Sequence, residues 1–592
     1  MTHLRLSFAH SVARFAAVSA LALGAAACAS QPRRFPLREP LWKDTDLLSV
    51  RLPCRADPTP KDPKHISCAP EAYVSSFAWD AADNTLFHPI TSALAVDLGG
   101  EAANANSLDE VADSAWFTNR LGRHPMTVDE LGRGACAPAV ILDPDTATDG
   151  SWLIDQGKPN GASPGFRVRV PGKGKFMFKT DSKAQPERPS AASVIGAAVY
   201  NAAGFYTSCE QVIYLKPSLL ELKPGLRSAD NSGIERPFDA AALAHVLEQT
   251  TKRGELVRLQ ASAWLPGQLI GPFRYAGTRG DDPNDILPHQ DRRDLRGGRL
   301  VAAWLDHFDA REQNSMDTWL ADDHEHEESS PGYVRHYYLD TSDTLGSEWD
   351  WDGISRRLGH SYLLDFQDVA VDLITLGILP RPWFRVERQK GAELFGYFEV
   401  KVFEPELWKN EYPNPTFSRQ TERDGAWMAR ILARFTPEMV TKLAKMGQFS
   451  DPFHTSYLNQ VLQGRLDKIL ARYLTRLSPV GDVHVDNSRL CGLDLARLRG
   501  VAPDDRFQYH ASLSVEGAAA ERSVPVIPGK SAEVCVDLPH VAADGGSPDD
   551  APGRYVIVRL TNGVAGGPLA AHLYDLGPAR GFKLAGIERL DP

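Results

Sequence analysis

The sequence predicts an α+β fold with two unequal lobes, one β-rich and one helical, followed by a β-sandwich-like domain. Three observations predict it. Residues 151 to about 276 read as strands with one strong helix among them. Residues 283 to 478 carry apolar residues mostly at helical spacing. Residues 480 to 592 return to short strands separated by Gly, Pro, Asn and Asp. A chain of 592 residues exceeds one hydrophobic core, so several domains are expected.

The elements follow in order. Thr127 with acids just after it, in Met126 to Leu131, is a helix-start signal, and short helical and loop signals mix around Asp109 to Arg120. Phe166 to Val170 alternates, Pro171-Gly-Lys-Gly174 supplies a turn, and Lys175 to Lys179 resumes, which reads as a β-hairpin. Ser190 to Ala203 reads as a helix, with Ser190 as cap and Gly204 as stop. Cys209 to Leu215 and Glu255 to Trp264 are further strands. Helices are predicted over Gly298 to His307, Ser361 to Leu376, Asp424 to Phe435, Pro437 to Met446 and Thr455 to Leu477. Strands are predicted over Tyr509 to Val515, Ala532 to Leu538, Gly553 to Leu560 and Ala570 to Leu576. The expected division is a leader at 1–28, a tether at 29–84, an N-terminal extension and small lobe at 85–276, a helical large lobe at 277–479 and a β domain at 480–592.

Hydrophobic content of 43% and charged content of 24% are ordinary for a globular chain. The net charge of -11 argues against nucleic acid as a partner. Arg5 and Arg14 precede or open an apolar run, Phe15 to Ala27, which is too short to span a bilayer and suits an export leader. Ala25-Ala26-Ala27-Cys28 is similar to a bacterial lipobox, so Cys28 is the candidate lipidation site and a periplasmic, membrane-anchored lipoprotein the expectation. An ordinary leader cleaved near Ala27 or Ala29 is the alternative. Six cysteines remain after Cys28; order along the chain favours Cys54–Cys68, Cys136–Cys209 and Cys491–Cys535 in an oxidising compartment.

Residues His307 to Asn314 read His-Phe-Asp-Ala-Arg-Glu-Gln-Asn, and Asp340 ends the next apolar strand, Tyr337-Tyr-Leu-Asp340. The spacing H-x-D-x-x-x-x-N is the catalytic-loop pattern of protein kinases. Phosphoryl transfer needs one carboxylate to accept the proton of the attacking hydroxyl, and an amide and a second carboxylate to hold metal against the phosphates. Asp309 is then the candidate base, with Asn314 and Asp340 as candidate Mg²⁺ ligands. Lys179, at a strand end, is the candidate anchor for the phosphates of ATP, and Lys158, Gly161 and Gly165 a candidate phosphate cradle. The plain alternatives are a capping loop for Asp309 and Asn314, an Asx turn for Asp340, a solvated Lys179 and an ordinary turn at 161–165. Arg292, Arg293 and Arg296 either bind an anion or form a structural ion-pair network. Asp322 to Glu328, rich in His and acids, is either metal-capable or a solvated loop.

Several longer stretches carry a resemblance. These are Ser114 to Arg120, Ala203 to Tyr206, Tyr275 to His289, Arg292 to Gly297, Ala303 to Asp309 with Asn314, His336 to Asp340 and Thr344 to Ser347. Together, over roughly residues 85 to 480, the chain resembles a family of secreted bacterial proteins with a protein-kinase-like core, distantly similar to CotH-type and HipA-type kinases. The resemblance implies a protein-kinase-like bilobal core using ATP and Mg²⁺. The chain departs from it at two places. Ser193 stands where the family has an acidic partner for the lysine, leaving only Glu187 before the helix, and Asp340-Thr-Ser-Asp343 stands for Asp-Phe-Gly-Ser. Two functions therefore stay open. One is an exported phosphotransferase moving a nucleotide γ-phosphate to a hydroxyl acceptor. The other is a catalytically inactive, kinase-like envelope lipoprotein that binds or scaffolds. A metal-dependent hydrolase has less support, because no His-x-x-His or His-Glu-x-x-His motif is present.

Overall fold

The computed structural model describes residues 34–37, 46–57, 66–94, 100–158, 163–229, 234–323, 330–516, 518, 520–529, 531–541 and 554–592. Cys28, Gly161 and the acidic stretch from His324 to Glu328 lie outside them. The architecture is mixed α+β with several sheets. Among the described residues no helix is long and apolar enough to cross a membrane.

The β-rich part contains β1 (Trp152–Lys158), β2 (Gly165–Val170), β3 (Gly174–Lys179), α1 (Arg188–Ala203), β4 (Glu210–Leu215), β5 (Leu220–Leu222), β6 (Lys252–Arg253) and β7 (Leu256–Ala263). The sheet runs β6-β7-β3-β2-β1-β5, and β4 pairs with β7. Alternation along each strand sorts its two faces. Phe166, Val168, Phe176, Phe178, Leu259 and Ala261 enter one apolar core. The other face carries Lys179, Arg258, Gln260 and Glu210, and α1 covers it: Arg258 Nε donates to Ser190 Oγ at 2.9 Å.

Helix α1 begins at Arg188, two residues ahead of the expected Ser190 cap, with Pro189 in its first turn. The reason is a carboxylate from outside the helix. Asp181 accepts from the Ser190 amide at 2.8 Å and from its hydroxyl at 3.0 Å, so Ser190 is free to lie within the first turn. The helix is buried on nearly every side. Ala191, Ile195, Ala198 and Val199 pack into the core of the helical part rather than that of the sheet.

That helical part contains α2 (Arg293–Leu305), β8 (Ser315–Ala321), β9 (Gly332–Tyr338), α3 (Phe366–Thr375), α4 (Glu422–Leu432), α5 (Pro437–Met446) and α6 (Pro452–Tyr473). Helix α2 starts five residues before the expected Gly298, because its first turn buries Arg293, Asp294 and Arg296, which carry no apolar period. Asp109 to Arg120, expected to include helix, is extended and turned, with Asp109 at a positive φ of 59°. Asp109 accepts from Arg293 Nη1 at 2.5 Å, Arg430 Nη2 at 3.1 Å and Arg589 Nε at 2.8 Å. One carboxylate thus ties the N-terminal extension to α2, α4 and the last strand of the chain.

The C-terminal region holds two antiparallel sheets. One contains Val480–Asp486, Arg489–Asp494, Glu533–Asp537 and Val526–Pro528. The other contains Arg522–Val524, His510–Val515, Tyr555–Thr561, Leu569–Asp575 and Phe582–Arg589. Both send residues, among them Leu490, Val536, Leu513, Val558 and Leu573, into one core. The disulfides pair Cys54–Cys68, Cys136–Cys209 and Cys491–Cys535, which fits an oxidising compartment. The segment at 34–37 docks on the second sheet. The Phe35 amide donates to Tyr555 Oη at 2.9 Å, Tyr574 Oη donates to the Phe35 carbonyl at 2.8 Å, and the Phe35 ring meets His572 edge-on.

Candidate functional site

The site is assembled by two pieces of register. In the β-rich sheet, Lys158 lies opposite Gly165, Gly165 opposite Lys179, and Lys179 opposite Gln260. Two lysines therefore flank one glycine on the same sheet face. A side chain at position 165 would run into the Phe178 carbonyl, 2.0 Å from where its Cβ would stand. Burial and the neighbouring Lys179 push the Lys158 ammonium below its usual pKa, and its Nζ donates to the Ser163 carbonyl at 2.8 Å.

In the helical part, β8 and β9 form a hairpin with Ser315 opposite Tyr338. Asn314 and Asp340 sit just beyond that pair, so the hairpin brings them side by side; the Leu339 amide donates to the Asn314 carbonyl at 3.0 Å. The loop from α2 to β8 adds Asp309. Asn314 Nδ2 donates to the Asp309 carbonyl at 2.8 Å and to its carboxylate. His307 anchors this loop through Tyr200 Oη, 2.9 Å from its Nδ1, and burial lowers its pKa to about 4, so the ring is neutral at pH 7.

The two halves meet where Lys179 Nζ donates to Asp340 Oδ2 at 2.7 Å, across 161 residues of sequence. Burial would raise the Asp340 pKa, but the Lys179 ammonium and the Ser342 bonds outweigh it and hold the carboxyl well below the usual range. Asp309 goes the other way. Burial and the charge of Asp343 push it well up, against the partial relief of Arg311. Arg311 Nη2 lies 3.4 Å from Asp309 Oδ2, and Nη1 is held by Glu411.

Lys158, Gly165 and Lys179 on the sheet thus meet Asp309, Asn314 and Asp340 through the Lys179–Asp340 contact, with Asp343 beside Asp309. Gly161 lies outside the described residues. Other expectations resolve as structure. Arg292, Arg293 and Arg296 are committed to Asp46, Asp109, Asp291, Asp294 and Asp424 and form a buried network. Glu187 does not meet Lys179; it accepts from the amide and hydroxyl of Ser450. Ser193 is buried where Thr341 Oγ1 donates to its carbonyl at 3.1 Å. Arg311, Glu411 and Glu210 were not singled out by sequence, since single polar residues inside otherwise ordinary segments carry no pattern.

Oxygen donors of the kind a hard divalent cation takes stand in this cluster. Asp340, Asn314 and Asp343 offer oxygens, and burial with the charge of Asp343 raises the neighbouring Asp309 against the relief of Arg311. Among the described residues no group of three or more His, Cys, Asp or Glu forms a ready-made cage. The fit is that of an open site completed by phosphate and water oxygens. Large cavities lie elsewhere: one of about 930 Å³ beside Tyr73, Arg274 and Arg279, and one of about 900 Å³ beside Asn119, Tyr206 and Trp264. Neither is lined by Lys179, Asp309 or Asp340.

No family model matches the chain, and no curated protein sequence matches it. Among solved structures it is similar to the proinflammatory kinase CtkA of Helicobacter pylori, at 12% identity and a TM-score of 0.27, over 57% of this chain and 96% of that one. A likeness of that size carries no argument about the fold or the chemistry.

Proposed function

We propose that the chain is an exported, kinase-like phosphotransferase with a bilobal core, moving the γ-phosphate of a nucleotide to a hydroxyl acceptor. The observation that carries this reading is the Lys179–Asp340 contact, with Asn314 and Asp309 behind it. Lys179, with Lys158 beside it, binds the phosphates as fixed positive charge. Asp340 and Asn314 would hold Mg²⁺, which supplies neutralisation of the phosphate charge when bound. Asp309 accepts the proton of the acceptor hydroxyl at its carboxylate, and Arg311 and Asn314 orient it. Its raised pKa is suited to holding a proton, and loss of that proton is favoured as positive charge enters the cleft. Lipidation of Cys28 would hold the protein at the periplasmic face of a membrane.

One test uses protein lacking residues 1–28, titrated with ATP in Mg²⁺ and followed by thermal unfolding. Ligand that binds only the folded chain raises the midpoint by mass action. Stabilisation lost in Asp340→Ala supports the site, and no stabilisation of the parent at millimolar ATP overturns the reading.

A second reading, a kinase-like binding or scaffolding lipoprotein without turnover, is favoured by two observations. The Lys179 ammonium is already neutralised by Asp340, and the helix facing it offers Ser193 in place of an acid. Nucleotide binding with no transfer to any protein, glycan or small-molecule hydroxyl would select it.

A further inference from the structure

The two sides of the cleft are not equally open. The Asp340 side chain is 31% exposed and that of Asp309 only 6%, so phosphate oxygens have access to the first and an acceptor hydroxyl has little room beside the second. Arg311, which orients Asp309, also covers it: Nη2 lies 3.4 Å from Asp309 Oδ2, and Nη1 is held by Glu411. The Phe77 ring lies against that guanidinium, with Cζ 4.6 Å from the ring centroid. Phe77 belongs to a segment, Tyr73 to Phe87, that crosses the loop between Asp309 and Asn314 and grips three successive residues of it. Phe77 takes Arg311. Tyr73 Oη and Ser75 Oγ donate to Glu312 Oε2 at 2.9 and 2.8 Å. Gln313 Nε2 donates to Ser75 Oγ at 2.6 Å and to Asp80 Oδ2 at 3.3 Å, and Tyr412 Oη donates to the same Asp80 oxygen. The front of the segment is fixed, since the Tyr73 amide donates to the Ile270 carbonyl at 2.9 Å. Beyond that point the grip is mostly polar. Of the short helix Phe77–Ala82 only Asp80 is buried, while Leu86 and Phe87 are exposed and Trp79 is 62% exposed. A segment that buries so little apolar surface is among the first parts of a fold to open locally.

We propose that Tyr73 to Phe87 is a strap across the acceptor side of the cleft: Phe77 clamps Arg311 onto Asp309, and the carboxylate becomes available to an acceptor when the strap lifts. The inference rests on the phosphotransferase reading for its purpose, though not for the cover itself. Closed, the strap leaves the nucleotide side free and withholds the base, so a bound nucleotide is kept from passing its phosphate to water. Its polar residues face the loop and its aromatic residues face solvent, so lifting it breaks a few hydrogen bonds and one ring contact without opening the core.

The test needs no nucleotide for its first readout. Carboxyl groups are coupled to glycinamide with a carbodiimide in otherwise native protein and read by peptide mass spectrometry. Exposed Asp129 is the fast reference and buried Asp109 the slow one. In Ser75→Ala/Phe77→Ala the strap loses its Ser75 bonds and the ring on Arg311, so the open fraction rises by about tenfold and Asp309 labelling with it, while Asp109 stays slow. Phe77→Tyr keeps the ring and labels at the parent rate. The second readout adds ATP and Mg²⁺. The γ-phosphoryl then passes to water, giving ADP and phosphate, about tenfold faster in the double variant, with the thermal shift by ATP unchanged; general loosening of the fold would weaken both. Asp309 labelled in the parent as fast as Asp129, or equal labelling of Asp309 in the parent and the double variant, overturns the inference even if the parent binds ATP. Faster labelling with unchanged hydrolysis, in protein that binds ATP, overturns the strap's control of the reaction. A tenfold labelling difference with no ATP binding by the parent leaves the strap in place and overturns the phosphotransferase reading instead. Should Asp109 lose its protection in the double variant, Phe77→Leu is read in its place: Asp309 labelling raised severalfold supports the strap, and no rise overturns it.

Discussion

The cleft around Asp309 and the junction around Asp109 are both buried clusters of charge, and they are built on opposite terms. At the junction, three guanidiniums converge on one carboxylate, and Arg293 and Arg296 also reach Asp424. The Asp109 carboxyl is held well below its usual range despite burial. In the cleft, Asp309, Asp340 and Asp343 crowd together and Asp309 is pushed up. A charge cluster that is satisfied by its own chain holds structure together. The acids of the cleft are paired more loosely: Lys179 meets Asp340 and Arg311 lies 3.4 Å from Asp309, which burial and Asp343 still raise, and carboxyls perturbed in this way gather at functional sites.

The largest expected effect lies at the junction. Asp109→Ala leaves three buried guanidiniums without their shared partner and should cost about 3–5 kcal/mol, read by denaturant unfolding. A loss below about 1 kcal/mol would erase the contrast with the cleft. Next, Asp309→Asn should leave stability unchanged or slightly raised, while transfer to any acceptor falls by about 10²–10⁴-fold. A large loss of stability there would make Asp309 structural.

The two clusters should also part company with pH. Asp109 has a depressed folded pKa, so its contribution is present above the unfolded carboxylate value of about 4 and fades as pH falls through the lower folded value. Asp309 has a raised folded pKa, so its contribution is complete below about pH 4 and is lost as pH rises through the folded value. Asp309→Asn should therefore flatten the alkaline side of a stability–pH curve and leave the acid side alone; a changed acid limb would contradict the assignment. The smallest effect is a surface control. Arg489→Ala, which breaks an exposed pair with Asp537, should change stability by about 0.5 kcal/mol or less.

How much of this was legible in the sequence depended on the range of the interaction. The His307 to Asn314 spacing is local, and Asp340 ends a visibly apolar strand, so Asp309, Asn314 and Asp340 could be named, while the hairpin that sets Asn314 beside Asp340 could not, because Ser315 to Ala321 buries Ser, Asp and Thr and shows no clean alternation. Lys158, Gly165 and Lys179 could be named but not aligned, because their row is set by strand register. Ser190 looked like a cap because nothing nearby in sequence announces that Asp181 takes that role. The start of α2 was hidden by buried arginines whose partners are remote. Glu210 has no pattern of its own; strand register brings Gln260 and Ser262 against it.

The docking of Phe35 on the C-terminal sheet has a consequence for biogenesis. Residues 34–37 leave the ribosome more than 500 residues before Tyr555 and Tyr574, which hold them. Phe35 fills space against Gly586, where a side chain would strike its ring. The earliest described segment therefore waits for the latest strands before it has anywhere to go. Deleting residues 34–37 should weaken the sheet that holds them, and that seam cannot close until Tyr555 and Tyr574 have been made.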